Sequence, residues 1–223
     1  MPNDTFRPLD RDNNAADETV EFRGLLRYEQ QMPIRQISYY LCGDIVEAQY
    51  YTELFYTLRT ASDTDLIYLH INSSGGDFNT GLQIINNICS SSAKVITTLE
   101  ARAFSMAALI FLSGDELIVH DNCQLMFHTY SGGFFGKGNE QQAEVAAVGK
   151  WFEKVISRIC SPFLSDSEIK HILRGSDVWM DSDEIRRRLL RMLRASQKAA
   201  PTLSRGKKSS PSREGSDRKA AAE

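Results

Sequence analysis

Short apolar runs alternate with segments of helical periodicity along the first half of this chain, and this alternation restricts the fold more than any other feature. Residues 34–45, 67–71 and 94–99 are typical of strands. The helical segments between them carry apolar stripes of Val46, Tyr50, Leu54 and Leu58, then of Leu82, Ile85, Ile88 and Cys89. Residues 67–71 form a continuous apolar run, which predicts a strand buried on both faces of a parallel sheet. The pattern therefore predicts an α/β fold built of βαβ units with right-handed crossovers.

The second half of the chain continues with one more helix, two strands and then helices. Residues 139–159 predict a single long helix with a wide apolar stripe, made of Val145, Val148, Trp151, Phe152, Val155, Ile156 and Ile159. A helix of about 20 residues spans about 30 Å, which is more than one small core needs. It is either a core helix or an interface helix.

Composition and charge divide the chain into three parts. With 223 residues and 42% hydrophobic residues, the chain can bury one sizeable core. We expect a polar N-terminal segment (1–30), a folded domain (31–195) and a basic tail (196–223). Residues 186–223 hold 12 Lys or Arg against 3 Asp or Glu, with almost no aromatic residues, which predicts a disordered, solvated tail. We do not expect the tail to bind nucleic acid.

Cysteine usage and the N-terminus favour a reducing compartment. The four cysteines are scattered without a C-x-x-C pair, which predicts free thiols and no metal site. No apolar stretch is long enough to cross a membrane, and the acidic, polar N-terminus resembles neither a signal peptide nor a transit peptide. We therefore expect a cytoplasmic protein, or one of an organelle stroma or matrix, without membrane contact.

Ser105 is the residue most suggestive of chemistry, because it stands where the strand-type run 94–99 gives way to the helical run 106–112. N–H groups at a helix start have no intrahelical partner and favour negative charge. Such a position can stabilise the charges of an acyl-transfer nucleophile, although a simple helix cap is the commoner reason for a serine there.

Three further features surround this serine. Gly75 and Gly76 follow a strand, where glycines let the backbone turn sharply and expose its N–H groups. His128 ends another strand, and a neutral imidazole can act as a general base. In the α/β pattern, Gly76, Ser105 and His128 all lie at carboxyl ends of strands, where functional groups gather. Asp177 could orient the imidazole, with Asp181 and Asp183 as rivals for that role.

The motifs together resemble those of the ClpP family, the proteolytic subunits of ATP-dependent Clp proteases. The resemblance rests on Asn72-Ser-Ser-Gly-Gly, on Ala103-Phe-Ser-Met, on Met126-Phe-His followed by Gly132-Gly133, and on their spacing. It implies a ClpP/crotonase-like repeated ββα superhelix with a protruding handle helix. It also implies Ser105 as nucleophile, His128 as base, Asp177 as orienting acid, and an oxyanion hole from the N–H groups of Gly76 and Met106.

The resemblance further implies a serine endopeptidase that cleaves unfolded chains or peptides inside a ring chamber, with no cofactor in this subunit. The chain would assemble with itself, as two stacked heptamers joined by the handle helix at residues 139–159. An AAA+ unfoldase ATPase would be a further partner. The loop around Gly132-Gly133 would hold substrate in an extended form.

Three departures from the family pattern keep alternatives open. The segment from Glu184 onward runs into the basic tail in place of the usual closing strand, and Thr129-Tyr130 replaces the usual Gln-Pro after His128. The segment from Glu21 onward lacks the usual loop pattern that meets the ATPase. The alternatives are an inactive structural ring subunit, a crotonase-like acyl-CoA enzyme, and a Ser/Lys dyad using Lys137.

Overall fold

Strands and helices alternate along residues 34–199, the part of the chain described by the computed structural model. The strands are β1 (Gln36–Ile45), β2 (Leu66–Gly76), β3 (Lys94–Phe104), β4 (Glu116–Val119), β5 (Gln124–Phe127) and β6 (Val178–Asp181). The helices are α1 (Thr52–Thr60), α2 (Phe78–Cys89), α3 (Met106–Phe111), α4 (Gly138–Cys160), α5 (Asp166–Leu173) and α6 (Ser182–Ala199). The predicted α/β class is confirmed.

One mostly parallel sheet carries all of these strands, in the order β1-β2-β3-β5-β6. β3 is long enough to pair with two partners on the same side, first with β4 and then with β5. β6 alone runs antiparallel, pairing with β5. Because β1, β2, β3 and β5 are parallel, their carboxyl ends meet at one edge of the sheet, where the candidate residues were expected.

At β2 the core lies on one face of the sheet, and this corrects the prediction for residues 67–71. Ile67, Leu69 and Ile71 are buried and pack into the core with residues from the helices. Tyr68 and His70, which point to the opposite face, are only partly buried. A continuous apolar run was expected to indicate burial on both faces, but the second face of β2 lacks a layer of helices within the described residues.

The first predicted helix is shorter than its four-residue repeat suggested. A 3₁₀ turn (Ala48–Tyr51) precedes α1, and Val46 and Tyr50 are exposed. Leu54 and Leu58 are buried as predicted. A 3₁₀ turn has three residues per turn, so it breaks the phase that a regular helix would need to place all four residues on one face.

The predicted long helix is confirmed as α4, with 23 residues and a length of about 34 Å.

The C-terminal part of the chain differs from the predicted order, because the short strand β6 lies between α5 and α6. A four-residue strand leaves too little periodicity to be recognised. The family's closing strand is replaced by α6, which reaches Ala199 and therefore crosses the predicted boundary at residue 195. The predicted N-terminal segment (1–30), the next three residues and the predicted tail from residue 200 onward lie outside the described residues.

Candidate active site

Ser105 adopts a backbone conformation that side-chain-bearing residues rarely take. Among residues 34–199 it is the one residue other than glycine with a positive φ, at φ 54° and ψ −123°. Its N–H donates to the carbonyl of Met126 in β5 (2.8 Å), and its carbonyl accepts from the N–H of Ala108 (3.0 Å). Strained residues of this kind persist only where the surrounding structure fixes them, and they cluster at functional sites. The sequence placed Ser105 between strand and helix but gave no sign of its positive φ.

Gly75 and Gly76 bring β2 against the turn that carries Ser105. A Cβ built on Gly75 would lie 2.8 Å from Ser105 Cβ, and one on Gly76 would lie 2.2 Å from the carbonyl oxygen of Ile45. Both glycines also have positive φ, 94° and 143°. Any side chain at Gly75 would therefore displace Ser105. The sequence shows the paired glycines but did not indicate that Gly75 makes room for the serine.

Buried polar contacts hold this glycine turn. The hydroxyl of Ser73, which is fully buried, accepts a hydrogen bond from the N–H of Gly75 (3.1 Å). Asp77 donates its N–H to Ile45 (2.8 Å), and its carboxylate accepts from the N–H of Thr80 (2.7 Å), which caps α2. The turn is therefore fixed by β1 on one side and by the start of α2 on the other.

His128 is the first residue beyond β5 and faces the same cavity as Ser105. This cavity, of about 70 Å³, brings together four of the five predicted site residues: Gly76, Ser105, Met106 and His128. The rest of its wall is formed by Phe78, Leu109, Phe127, Thr129, Tyr130, Ser131 and Phe152. An apolar wall beside a serine and an imidazole suits a site that excludes water from an acyl group.

Asp177 does not line this cavity. It is exposed and stands directly before β6. The antiparallel ladder ends with the pair Phe127–Val178, so His128 and Asp177 are the residues that adjoin this last pair on the two strands.

The rival acids have other partners. Asp181 accepts the N–H of Glu184 (2.9 Å) at the start of α6, and Asp183 lies 4.0 Å from Arg186. Lys137, the candidate for a Ser/Lys dyad, has a side chain that is 82% exposed and faces Glu140 at 3.9 Å. It does not line the cavity with Ser105.

The remaining reactive side chains suggest no other chemistry in the described residues. All four cysteines are free. Burial raises the pKa of Cys160 to about 12, so its thiol stays protonated at neutral pH. Between residues 34 and 199, no three His, Cys, Asp or Glu side chains are grouped so that they could hold a metal ion. No helix in the same range is long and apolar enough to cross a membrane.

Comparison with known proteins identifies the family. The family model described as Clp protease matches residues 25–187, and the chain therefore belongs to the Clp protease family. Two similar proteins are the ATP-dependent Clp protease proteolytic subunits of Streptococcus uberis and Streptococcus mutans, each 31% identical over 134 residues. The subunit of Lactococcus lactis is 29% identical over 134 residues. These alignments cover 57% of this chain and about two thirds of each relative. The predicted family and its fold are confirmed. Because the chain belongs to the Clp protease family, it is a peptidase.

Proposed function

We propose that this chain is a serine endopeptidase in which Ser105, His128 and Asp177 form the catalytic triad. The observation that carries the proposal is the strained turn at Ser105, which opens onto the same cavity as His128. A serine held in a sharp strand-to-helix turn is the arrangement of a nucleophile elbow, in which the hydroxyl is presented beyond the end of the sheet.

The reaction follows from these positions. Ser105 Oγ attacks the carbonyl carbon of a peptide bond while His128 accepts the hydroxyl proton. The tetrahedral oxyanion is stabilised by the N–H groups of Gly76 and Met106. His128 then gives the proton to the leaving amine, which leaves an acyl ester on Ser105. Water attacks the ester carbonyl while His128 takes its proton; His128 then gives this proton to Ser105 Oγ as the ester bond breaks, which releases the carboxylic acid and restores the free serine. Asp177 orients the imidazole throughout.

The backbone supports the two oxyanion donors. Met106 is the first residue of α3, so its N–H has no acceptor within the helix. Gly76 lines the same cavity as Ser105, which supports its N–H as the second donor.

Labelling with a fluorophosphonate tests the nucleophile. We expect the reagent to modify Ser105 in the wild type, located by peptide mapping, and to leave Ser105→Ala unmodified. Ser131 lines the same cavity and provides the matched control, because Ser131→Ala should label as the wild type does. Labelling that survives in Ser105→Ala would contradict the assignment.

The acid is tested separately. We expect His128→Ala to lose about 10⁴-fold in the hydrolysis rate and Asp177→Asn to lose less, because Asp177 is exposed and water can take part in orienting the imidazole. Asp181→Asn, which disturbs the start of α6, is the control. If Asp181→Asn were the inactive variant and Asp177→Asn were active, Asp177 would be the wrong acid.

The assembly proposed is a ring chamber of two stacked heptamers joined through α4. Trp151 is 43% exposed on this helix although it is a large apolar residue, and Val155 beside it is partly buried. Burying a large apolar side chain fully, rather than leaving it in water, is worth roughly 1.5–3 kcal/mol. The double variant Trp151→Glu, Val155→Glu should sediment as a smaller species, whereas Lys170→Glu, with the same change in charge on α5, should not. A monomeric wild type at micromolar concentration would refute the ring.

The proposed substrates are unfolded polypeptides and peptides, delivered by an AAA+ unfoldase. The relatives' names describe proteolytic subunits of an ATP-dependent protease, and this supports an ATPase partner for the chain. The assay is degradation of an unfoldable reporter protein with and without an AAA+ partner and ATP. Short peptides should be cleaved without ATP. Cytoplasmic localisation remains a prediction.

An inactive ring subunit is the second candidate, because Asp177 is exposed and outside the cavity wall. Absence of fluorophosphonate labelling in the assembled wild type would favour it. The acyl-CoA alternative is less consistent with the site, since an oxyanion hole acting on a thioester does not need Ser105 and His128 at one cavity.

A further inference from the structure

The segment after His128 leaves the sheet and has little regular structure to hold it. β5 ends at Phe127 and α4 begins at Gly138, and the connection between them contains Gly132, Gly133 and Gly136. His128 is the first residue of this connection. A general base must stay within hydrogen-bond reach of its proton donor. Contacts must therefore fix the backbone on both sides of His128.

On the N-terminal side, the sheet supplies this support. Phe127 is buried and pairs with Val178 of β6. The preceding residue, Met126, accepts the N–H of Ser105 at 2.8 Å. The chain leading into His128 is therefore tied directly to the turn that carries the nucleophile.

On the C-terminal side, Tyr130 contacts α4. Its ring packs against Phe152 with centroids 5.3 Å apart and an interplanar angle of 60°. Its hydroxyl donates to the carbonyl of Val145 at 3.4 Å and lies beside Gly149. Val145, Gly149 and Phe152 are four and three residues apart, so they form one face of the helix, along which the tyrosine lies.

The anchor is rigid because Phe152 belongs to the core. Phe152 is 4% exposed and also packs against Phe78 at 5.8 Å. Phe78 stands two residues after Gly76 and lines the same cavity. An aromatic row of Tyr130, Phe152 and Phe78 thus links the chain after His128 to the glycine turn on the other side of the site.

We infer that Tyr130 is a positioning residue, whose ring holds the backbone after His128 against α4 and so keeps the imidazole beside Ser105. The inference rests on the proposed function of that pair. The ring contributes most of the effect, since the hydroxyl contact of 3.4 Å is long for a hydrogen bond.

The test compares Tyr130→Ala with Tyr130→Phe in the full-length chain, using p-nitrophenyl acetate as a small ester. Tyr130→Ala should lower kcat about 10- to 100-fold, the scale of losses from a misplaced catalytic group, with KM little changed. Tyr130→Phe should restore kcat to nearly the wild-type value. Phe135→Ala is the matched control, because Phe135 lies in the same connection but is 96% exposed. Thermal unfolding of each variant checks that the fold is intact.

Three results would overturn the inference: an unchanged kcat in Tyr130→Ala, a loss confined to KM, or an equal loss in Phe135→Ala. Hydrogen exchange of residues 128–137 gives a readout that does not need activity. Exchange there should accelerate in Tyr130→Ala and not in Tyr130→Phe, and equal exchange in all variants would also overturn the inference. A wild type that neither labels nor hydrolyses the ester would refute the proposed function, and hydrogen exchange would then decide the contact with α4 separately.

Discussion

Replacing Ser105 by glycine should stabilise the protein while abolishing its activity. Ser105 sits at φ 54° and ψ −123°, a region that glycine enters without steric cost. A side-chain-bearing residue held in such a conformation stores of the order of 1–3 kcal/mol. The Ser105 hydroxyl makes no capping hydrogen bond at the start of α3, so its removal forfeits little. The variant therefore releases strain with no matching loss of contacts.

The expected gain can be estimated from opposing terms. Glycine costs about 0.5–1 kcal/mol through the larger freedom of the unfolded chain. Set against the strain released, the middle of both ranges leaves a net stabilisation of about 1 kcal/mol. For a chain of this size, 1 kcal/mol shifts Tm by about 2–4 °C, so Ser105→Gly should melt about 2–4 °C above the wild type. Ser105→Ala keeps the strained φ and should melt close to the wild type.

The assay is thermal unfolding followed by circular dichroism, at one fixed protein concentration because assembly also shifts Tm. Ser176→Gly is the matched control: Ser176 is exposed and has no positive φ, so glycine there should lower Tm slightly. If Ser105→Gly melted at or below Ser105→Ala, the strain assigned to this turn would be refuted. Neither Ser105 variant should react with a fluorophosphonate.

Further predictions concern stability. The Thr97 hydroxyl donates to the carbonyl of Phe111 at 2.7 Å, whereas the buried Thr98 hydroxyl has no partner among the described residues. Thr97→Val should therefore lower the free energy of unfolding by about 1–3 kcal/mol in urea titrations. Thr98→Val should leave it unchanged or raise it. Arg188 holds the pKa of Glu168 at about 2, below its ordinary 4.5, so this pair stabilises the fold above about pH 4.5 and the contribution is lost as pH falls toward 2. Glu168→Gln should accordingly flatten the decline in stability between pH 5 and 2 in guanidinium titrations. Removing residues 200–223 should leave Tm and ester hydrolysis unchanged, and a large fall in Tm would show that this segment packs on the core.

Periodicity predicted the elements that are long and regular. β1, β2, β3, α2 and α4 lie where the apolar patterns placed them, because each buries enough side chains to leave a clear repeat. The errors fell on short or irregular pieces, such as the 3₁₀ turn before α1 and the four-residue strand β6. The half-exposed face of β2 could not be foreseen either, since burial of a strand face depends on which elements cover it.

The candidate site, too, was predictable from the sequence only in part. The resemblance to the ClpP motifs implied Gly76, Ser105, Met106 and His128 as site residues, and the parallel sheet brings them to one cavity. The positive φ of Ser105 and the close approach of Gly75 depend on contacts between strands that are distant in sequence. The same is true of Tyr130, whose partner Phe152 lies 22 positions further along the chain.

The missing closing strand bears most directly on how Asp177 is placed, and α6 takes over its supporting role. Ile185 of α6 is fully buried in the core. Arg188 joins α6 to α5 by two hydrogen bonds to Glu168, at 2.7 and 2.9 Å, and the hydroxyl of Ser182 donates to the carbonyl of Asp121, just before β5. These contacts fix the C-terminal end of β6, while its ladder with β5 fixes the other end beside His128. The position of Asp177 therefore depends on a strand held at both ends, so a weakened α6 should reduce activity before it unfolds the sheet.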